Sequence, residues 1–258
     1  MDEHLKSHKV AKERIAKNSL EYYNNYVANY TESRGYIYKI LRIFQMIPHN
    51  PSYVLDIGCS HGAVLTYATK VFKPKIAVGV DISSKALRMG KKHKQINFIR
   101  ASATHLPFRK GFFDFVLCAN LLEHFYLPTI IVQQINHVTK NGAYIAVVVP
   151  NESTYIFSFL LRMIRPFITK IHHKNIVKEH LTFFTPDSIV KIFGQNFVPV
   201  YFFGDSLFWM DWPYTDLLDI INPNLKFIIA DKLLPLMKHK ATLYITSSMS
   251  LLLLKRCQ

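Results

Sequence analysis

The sequence predicts an α/β chain built on a doubly wound, mostly parallel sheet of seven strands, with a helical segment before it and a helical insertion after the fifth strand. Three observations carry this expectation. Short runs at 53–57, 76–80, 96–99, 113–118 and 144–149 are apolar at most positions, as strands covered on both faces are. The stretches between them, 61–72, 83–94 and 122–139, are long enough for right-handed crossover helices. A turn of small residues follows the first run, and an acid ends the second.

Residues 3–47 read as helices, with an apolar face from Tyr36 to Phe44 that Pro48 ends. The change of pattern at Tyr53 divides the chain into an N-terminal helical cap, 1–50, and a main domain, 51–258. Tyr23, Tyr26 and Tyr30 recur near four-residue spacing and read as packing or as part of a lid. After Pro150, Ser158, Arg162, Arg165 and Thr169 recur at helical spacing and leave a wide apolar face, which Pro166 would kink. This basic, amphipathic segment reads as a lid over the core or as an interfacial helix on anionic lipid, with the insertion spanning about 152–182. Thr185-Pro186-Asp187 is a helix start, threonine capping and proline in the first position. Leu225, Ile228, Ile229, Leu233 and Leu236 give 214–239 a helical face, and 197–203 with 248–254 complete the seven strands.

The chain has 258 residues, with 32 Lys and Arg against 17 Asp and Glu, a formal charge of +15. That charge suits nucleic acid, an anionic membrane or an anionic substrate. Cys59, Cys118 and Cys257 are far apart and lack C-x-x-C spacing, so neither a metal site nor a disulfide framework is expected. Met1 to Leu20 is charged throughout, unlike a signal peptide, and no apolar run reaches the ~18 residues of a membrane span. A cytoplasmic protein, soluble or peripheral to a membrane, is expected.

The chemistry centres on Val54-Leu-Asp-Ile-Gly-Cys-Ser-His-Gly62, an apolar strand bearing an acid that runs through small residues into a helix. Such a turn lets a ligand approach the backbone at the carboxyl ends of parallel strands, where helix amides also point. Asp81 ends the second strand about 20 residues on, where a carboxylate can accept both hydroxyls of a ribose. A nucleoside ligand is implied. Position 63 is Ala, which departs from G-x-G-x-x-G, and no phosphate-binding G-x-x-x-x-G-K-[ST] occurs.

Asp56-Ile-Gly-Cys-Ser-His-Gly62, Gly79-Val-Asp-Ile-Ser83, Ala101-Ser-Ala-Thr-His-Leu-Pro-Phe108 and Phe113-Asp-Phe-Val-Leu-Cys-Ala-Asn-Leu-Leu-Glu-His124 resemble, in order and spacing, the motifs of class I S-adenosylmethionine (SAM)-dependent methyltransferases, a Rossmann-like family. Val148-Val-Pro-Asn151 and Glu179-His-Leu-Thr-Phe-Phe-Thr-Pro186 are similar to later signatures of its small-molecule branch, which includes ubiquinone and menaquinone biosynthesis enzymes. The resemblance covers about 50–200. It implies that Asp56, Gly58, Cys59 and Gly62 hold the methionine moiety, that Asp81 binds the ribose, and that Ile82 packs on the adenine. It also implies that Asn120 lies near the methionine end. Where the family carries an acid for the adenine amine this chain has Ser102, whose hydroxyl can accept the same hydrogen bond, helped by the Ala103 backbone.

His124 and His180 are the candidate catalytic bases, each also readable as a structural histidine. Glu123 reads as a first-turn helix acid. The implied reaction moves a methyl group from SAM, leaving S-adenosylhomocysteine, to an oxygen, carbon or nitrogen of a small, apolar or lipid-like acceptor. Nucleic acid is disfavoured, since Asn120-Leu-Leu-Glu123 lacks the Asn/Asp-Pro-Pro-aromatic pattern of amine-methylating nucleic-acid enzymes. A rival reading is a SAM-binding or degenerate protein acting at a membrane surface; an RNA methyltransferase and a dinucleotide oxidoreductase rank below it. From Lys70 to Lys110 eleven basic residues face one acid, Asp81, as a solvated helix face or a docking patch for phosphate or membrane.

Overall fold

The computed structural model describes residues 34–151, 180–207 and 246–257. The helices expected within 3–33 and 214–239, the tyrosines at 23, 26 and 30, and nearly all of the 152–182 insertion lie outside the described residues.

Seven strands form one sheet in the order β3-β2-β1-β4-β5-β7-β6. The elements are α1 (Arg34–Gln45), β1 (Tyr53–Ile57), α2 (Ala63–Phe72), β2 (Ile76–Asp81), α3 (Ser84–Gly90), β3 (Asn97–Arg100), β4 (Phe113–Ala119), α4 (Pro128–Val138), β5 (Thr139–Pro150), α5 (Pro186–Phe193), β6 (Phe197–Leu207) and β7 (Thr246–Lys255). Strands β1 to β5 pair in parallel, and β7 runs antiparallel between β5 and β6. Strand order reverses between β1 and β4, which places a topological switch point at their carboxyl ends.

Strand alternation sorts the core into two layers. Leu55, Ile57, Val116, Cys118, Ile145 and Val147 pack with Ile131 and Ile135 of α4 and Ile189 of α5. Val54, Phe115, Leu117, Ala146 and Val148 pack on the other side with Ile40, Ile43 and Phe44 of α1 and Leu65 and Phe72 of α2. Each large side chain so buried contributes on the order of 1.5–3 kcal/mol. A register shift between Phe113 and Phe115 lets these two same-parity rings serve opposite layers. Within the shift, the Asp114 carboxylate accepts from the Tyr53 amide at 2.7 Å and from Lys140 Nζ at 3.4 Å, anchoring the start of β1.

Three boundaries differ from the sequence reading. The stretch 122–139 is a 3-10 turn, Leu122–His124, followed by α4, because Pro128 takes a first helical position. Strand β5 begins at Thr139, five residues early: pairing jumps from Phe113↔Thr139 to Phe115↔Tyr144, and the intervening Lys140-Asn-Gly-Ala143 forms a bulge. Helix α3 stops at Gly90, short of 94. The start of α5 is as expected, with a full capping box: the Thr185 amide donates to Ser188 Oγ at 2.8 Å and the Ser188 amide to Thr185 Oγ1 at 3.2 Å. Among the described residues no helix is long and apolar enough to cross a membrane.

Candidate active site

At the switch point the backbone after β1 makes a tight turn with Gly58, Ser60 and Gly62 all at positive φ, 77°, 51° and 80°. The turn is held by bonds to β2. The Gly58 and Cys59 amides both donate to the Val80 carbonyl, at 2.8 and 3.0 Å, and the Gly62 amide donates to the Cys59 carbonyl at 2.8 Å. These amides are therefore committed within the protein, as are the Cys59 carbonyl and, through Thr66, the Gly62 carbonyl, so the turn offers a ligand chiefly its shape.

Gly62 has a packing reason as well as a conformational one. A Cβ there would lie 2.6 Å from Cζ of Phe98 on β3, and one on Gly90 would meet the same atom at 2.6 Å. The phenyl ring thus fills a slot that two glycines leave open. Cys59 is buried beneath the turn; burial, then the charges of Asp56 and Asp81, pushes its thiol well above the ordinary range, so it is no nucleophile. Asp56 is only 3% exposed, within β1.

Asp81 occupies the centre of the site. Its Oδ2 accepts the Ser60 amide at 2.8 Å and its Oδ1 the Ser83 amide at 2.7 Å, so one carboxylate ties the glycine turn to the start of α3. Burial raises its pKa above the usual carboxylate value, although the amides of Ser83, Ser60 and Ile82 act in the opposite sense. Ile82, next to it, is 48% exposed, a large apolar side chain left in water at the mouth of the crevice.

Strand β3 delivers the next residues to the same edge, the Ala101 amide bonding the Asp81 carbonyl at 3.2 Å. Ser102 Oγ accepts the Thr104 amide at 3.2 Å and lies 2.8 Å from Thr104 Oγ1, which lies 2.8 Å from His105 Nδ1. Ala103 sits half-buried within this loop. On the other side of β1, Asn120 follows β4 exposed and left-handed, with φ 49°, its amide bonded to the Val148 carbonyl at 2.8 Å.

His124 and His180, remote in sequence, meet edge to face with ring centroids 5.6 Å apart. The Leu181 and Thr182 amides bond the Glu123 carbonyl at 2.7 and 3.1 Å, and Thr182 Oγ1 donates to the Phe125 carbonyl at 2.6 Å, stapling 180–182 to the 3-10 turn. Glu123 is 2% exposed with Oε1 4.0 Å from His124 Nε2, a partner that a first-turn reading does not anticipate. Thr104 and His105 are thus site neighbours the sequence reading passed over, and Glu123, in the first turn as expected, adds its proximity to His124. An acid beside a histidine in an apolar stretch was the one signal available for Glu123.

Residues 55–147 match a family model described as a methyltransferase domain. An uncharacterised protein of Methanocaldococcus jannaschii is 38% identical over 104 residues, 40% of this chain and 43% of that protein. A fatty-acid O-methyltransferase of Mycolicibacterium smegmatis is 27% identical over 94 residues, 35% of this chain and 34% of the enzyme. The chain therefore spans less than half the length of these curated relatives. Among solved structures, a chain from the complex of the Haloferax volcanii Trm112 methyltransferase activator with the putative methyltransferase superposes with a TM-score of 0.61 at 11% identity, covering 91% of this chain and 98% of that one. That likeness extends the shared fold beyond the matched segment. The sheet order and the glycine turn are those of a Rossmann-like fold, and residues 55–147 within it match a methyltransferase domain.

Proposed function

We propose that the protein transfers a methyl group from S-adenosylmethionine to an oxygen, carbon or nitrogen of a small, apolar or lipid-like acceptor. The observation that carries this reading is Asp81: a desolvated carboxylate at the switch point, clasped by two amides and flanked by the exposed Ile82. A ribose diol supplies the donors such a carboxylate lacks in a dry crevice, and an adenine ring covers the isoleucine. The residues fit the cofactor on those grounds.

Ser102 takes the adenine amine, aided by the Ala103 backbone. With His105 Nδ1 accepting, hydroxyl protons run from Ser102 to Thr104 to His105, and the Ser102 oxygen keeps a lone pair for an amino group. Asp56, Gly58, Cys59, Gly62 and Asn120 surround the methionine end, shaping it rather than donating through the committed amides. When bound, the cofactor supplies an electrophilic methyl group; the chain aligns the acceptor with it and keeps water out. His124 or His180 takes the acceptor's proton where the acceptor ionises poorly. The fatty-acid O-methyltransferase relative supports a lipid-like acceptor.

Calorimetric titration with S-adenosylhomocysteine, alongside NAD, tests the reading on the wild type and on Asp81→Ala. Binding of the former alone, weakened at least about tenfold in the variant, is expected from the loss of charge-assisted hydrogen bonds. Absence of binding by the wild type, or preference for NAD, overturns it.

A further inference from the structure

One face of the molecule carries charge that the site does not use. Helices α2 and α3 and the loop after α3 expose Lys70, Lys73, Arg88, Lys91, Lys92 and Lys94. The one acid between residues 63 and 110 is Asp81, half-buried and bonded to two amides. These cations come from separate elements yet converge. Gln95 Nε2 reaches Thr69 Oγ1 at 3.5 Å, drawing the loop onto α2. Burial, then the charges of Lys92 and Lys70, lowers the pKa of His93; burial, then Lys92 and His93, does the same to His61 in the glycine turn. The fold therefore gathers like charges beside the turn, and repulsion of this kind is relieved by an external anion.

The apolar side chains decide which anion. Val71 and Met89 stand 45% and 42% exposed next to Lys70 and Arg88. A nucleic-acid backbone would satisfy the lysines and leave these two in water. Nor does the face offer an exposed ring for base stacking, since Tyr67 is half-buried with Lys70 Nζ 5.5 Å from its centroid. A bilayer with anionic headgroups satisfies both sets, its phosphates meeting the lysines and its interfacial region taking the apolar tips.

We propose that this face docks on an anionic lipid bilayer, with Lys70, Arg88 and Lys91–Lys94 on the headgroups and Val71 and Met89 entering the interface. Docking there does not depend on methyl transfer. The test is co-sedimentation of the full chain with vesicles of phosphatidylcholine alone and of equal parts phosphatidylcholine and phosphatidylglycerol. The variant Lys91→Glu/Lys92→Glu/Lys94→Glu is compared with Lys110→Glu/Lys191→Glu/Arg256→Glu, which makes the same change of net charge at exposed residues elsewhere. Circular dichroism checks that both fold. The expected result is binding to the anionic vesicles only, weakened at least about tenfold by the first triple variant and by less than about twofold by the second. Met89→Asp weakens it further at high salt, where headgroup attraction is screened. Equal loss in both triple variants, binding indifferent to phosphatidylglycerol, or displacement from vesicles by an RNA oligonucleotide with no effect of Met89→Asp overturns the proposal.

Discussion

Asp81 links the fold to the chemistry through its protonation. Burial raises its pKa, so the folded protein without ligand holds the proton more tightly than an unfolded chain does, and the ionised form carries a cost above the ordinary value near 4. A ligand that donates hydroxyls to this carboxylate favours the ionised form. Affinity for S-adenosylhomocysteine is therefore expected to fall as pH drops through the raised pKa, in a window lying above that of an exposed aspartate. Calorimetry across the acid range checks this; affinity flat until the protein unfolds would deny Asp81 the ribose. The acid was legible in the sequence because a carboxylate ending an apolar run has no packing reason to be there. Its clasp by the Ser60 and Ser83 amides was not, since backbone donors leave no mark on residue type. The Ser102–Thr104–His105 chain was not, since it depends on how a loop curls after β3.

At the scale of elements, strands were easier to read than the segments joining them. A parallel strand covered on both faces must be apolar at nearly every position, so β1, β2 and β4 stood out within a residue or two of their bounds. The polar residues 140–143 hid the start of β5, because a bulge and a turn draw on the same residue types. The meeting of His124 and His180 had no local signature: it depends on the staple between 180–182 and the 3-10 turn. That staple makes Thr182 a positioning residue. Thr182→Val removes the bond to the Phe125 carbonyl at a net cost of about 1 kcal/mol. With an acceptor in hand, kcat is expected to fall several-fold while affinity for S-adenosylhomocysteine stays unchanged. A parallel loss of both would mean the staple serves the cofactor crevice instead.

Over the whole molecule, the sheet depends on its antiparallel strand. Among the described residues, strand β7 is the sole link between β6 and the parallel strands, pairing along β5 from Tyr144↔Leu254 to Pro150↔Ser248. Lys255 pins its far end: 5% exposed, it donates to the Asn136 carbonyl and, at 2.7 Å, to that of Thr139, where α4 passes into β5. Lys255→Met keeps the length and removes both bonds, leaving two carbonyls short of a donor. A loss of about 1–3 kcal/mol is expected in urea unfolding; an unchanged midpoint would show that water replaces the ammonium without cost. The ring of Phe98 has a reach of another kind. Because it fits a slot that Gly62 and Gly90 leave vacant, the contour of the glycine turn is written partly two strands away, as a key determines the lock it turns. In a descendant where that aromatic shrinks, a side chain at Gly90 still meets the His61 carbonyl oxygen, 2.8 Å from where its Cβ would stand, and Gly62 at φ 80° still favours glycine. Shrinking the ring therefore opens a hollow beside the turn without freeing either glycine, and a search for such domains gains by weighing the ring and the glycines jointly.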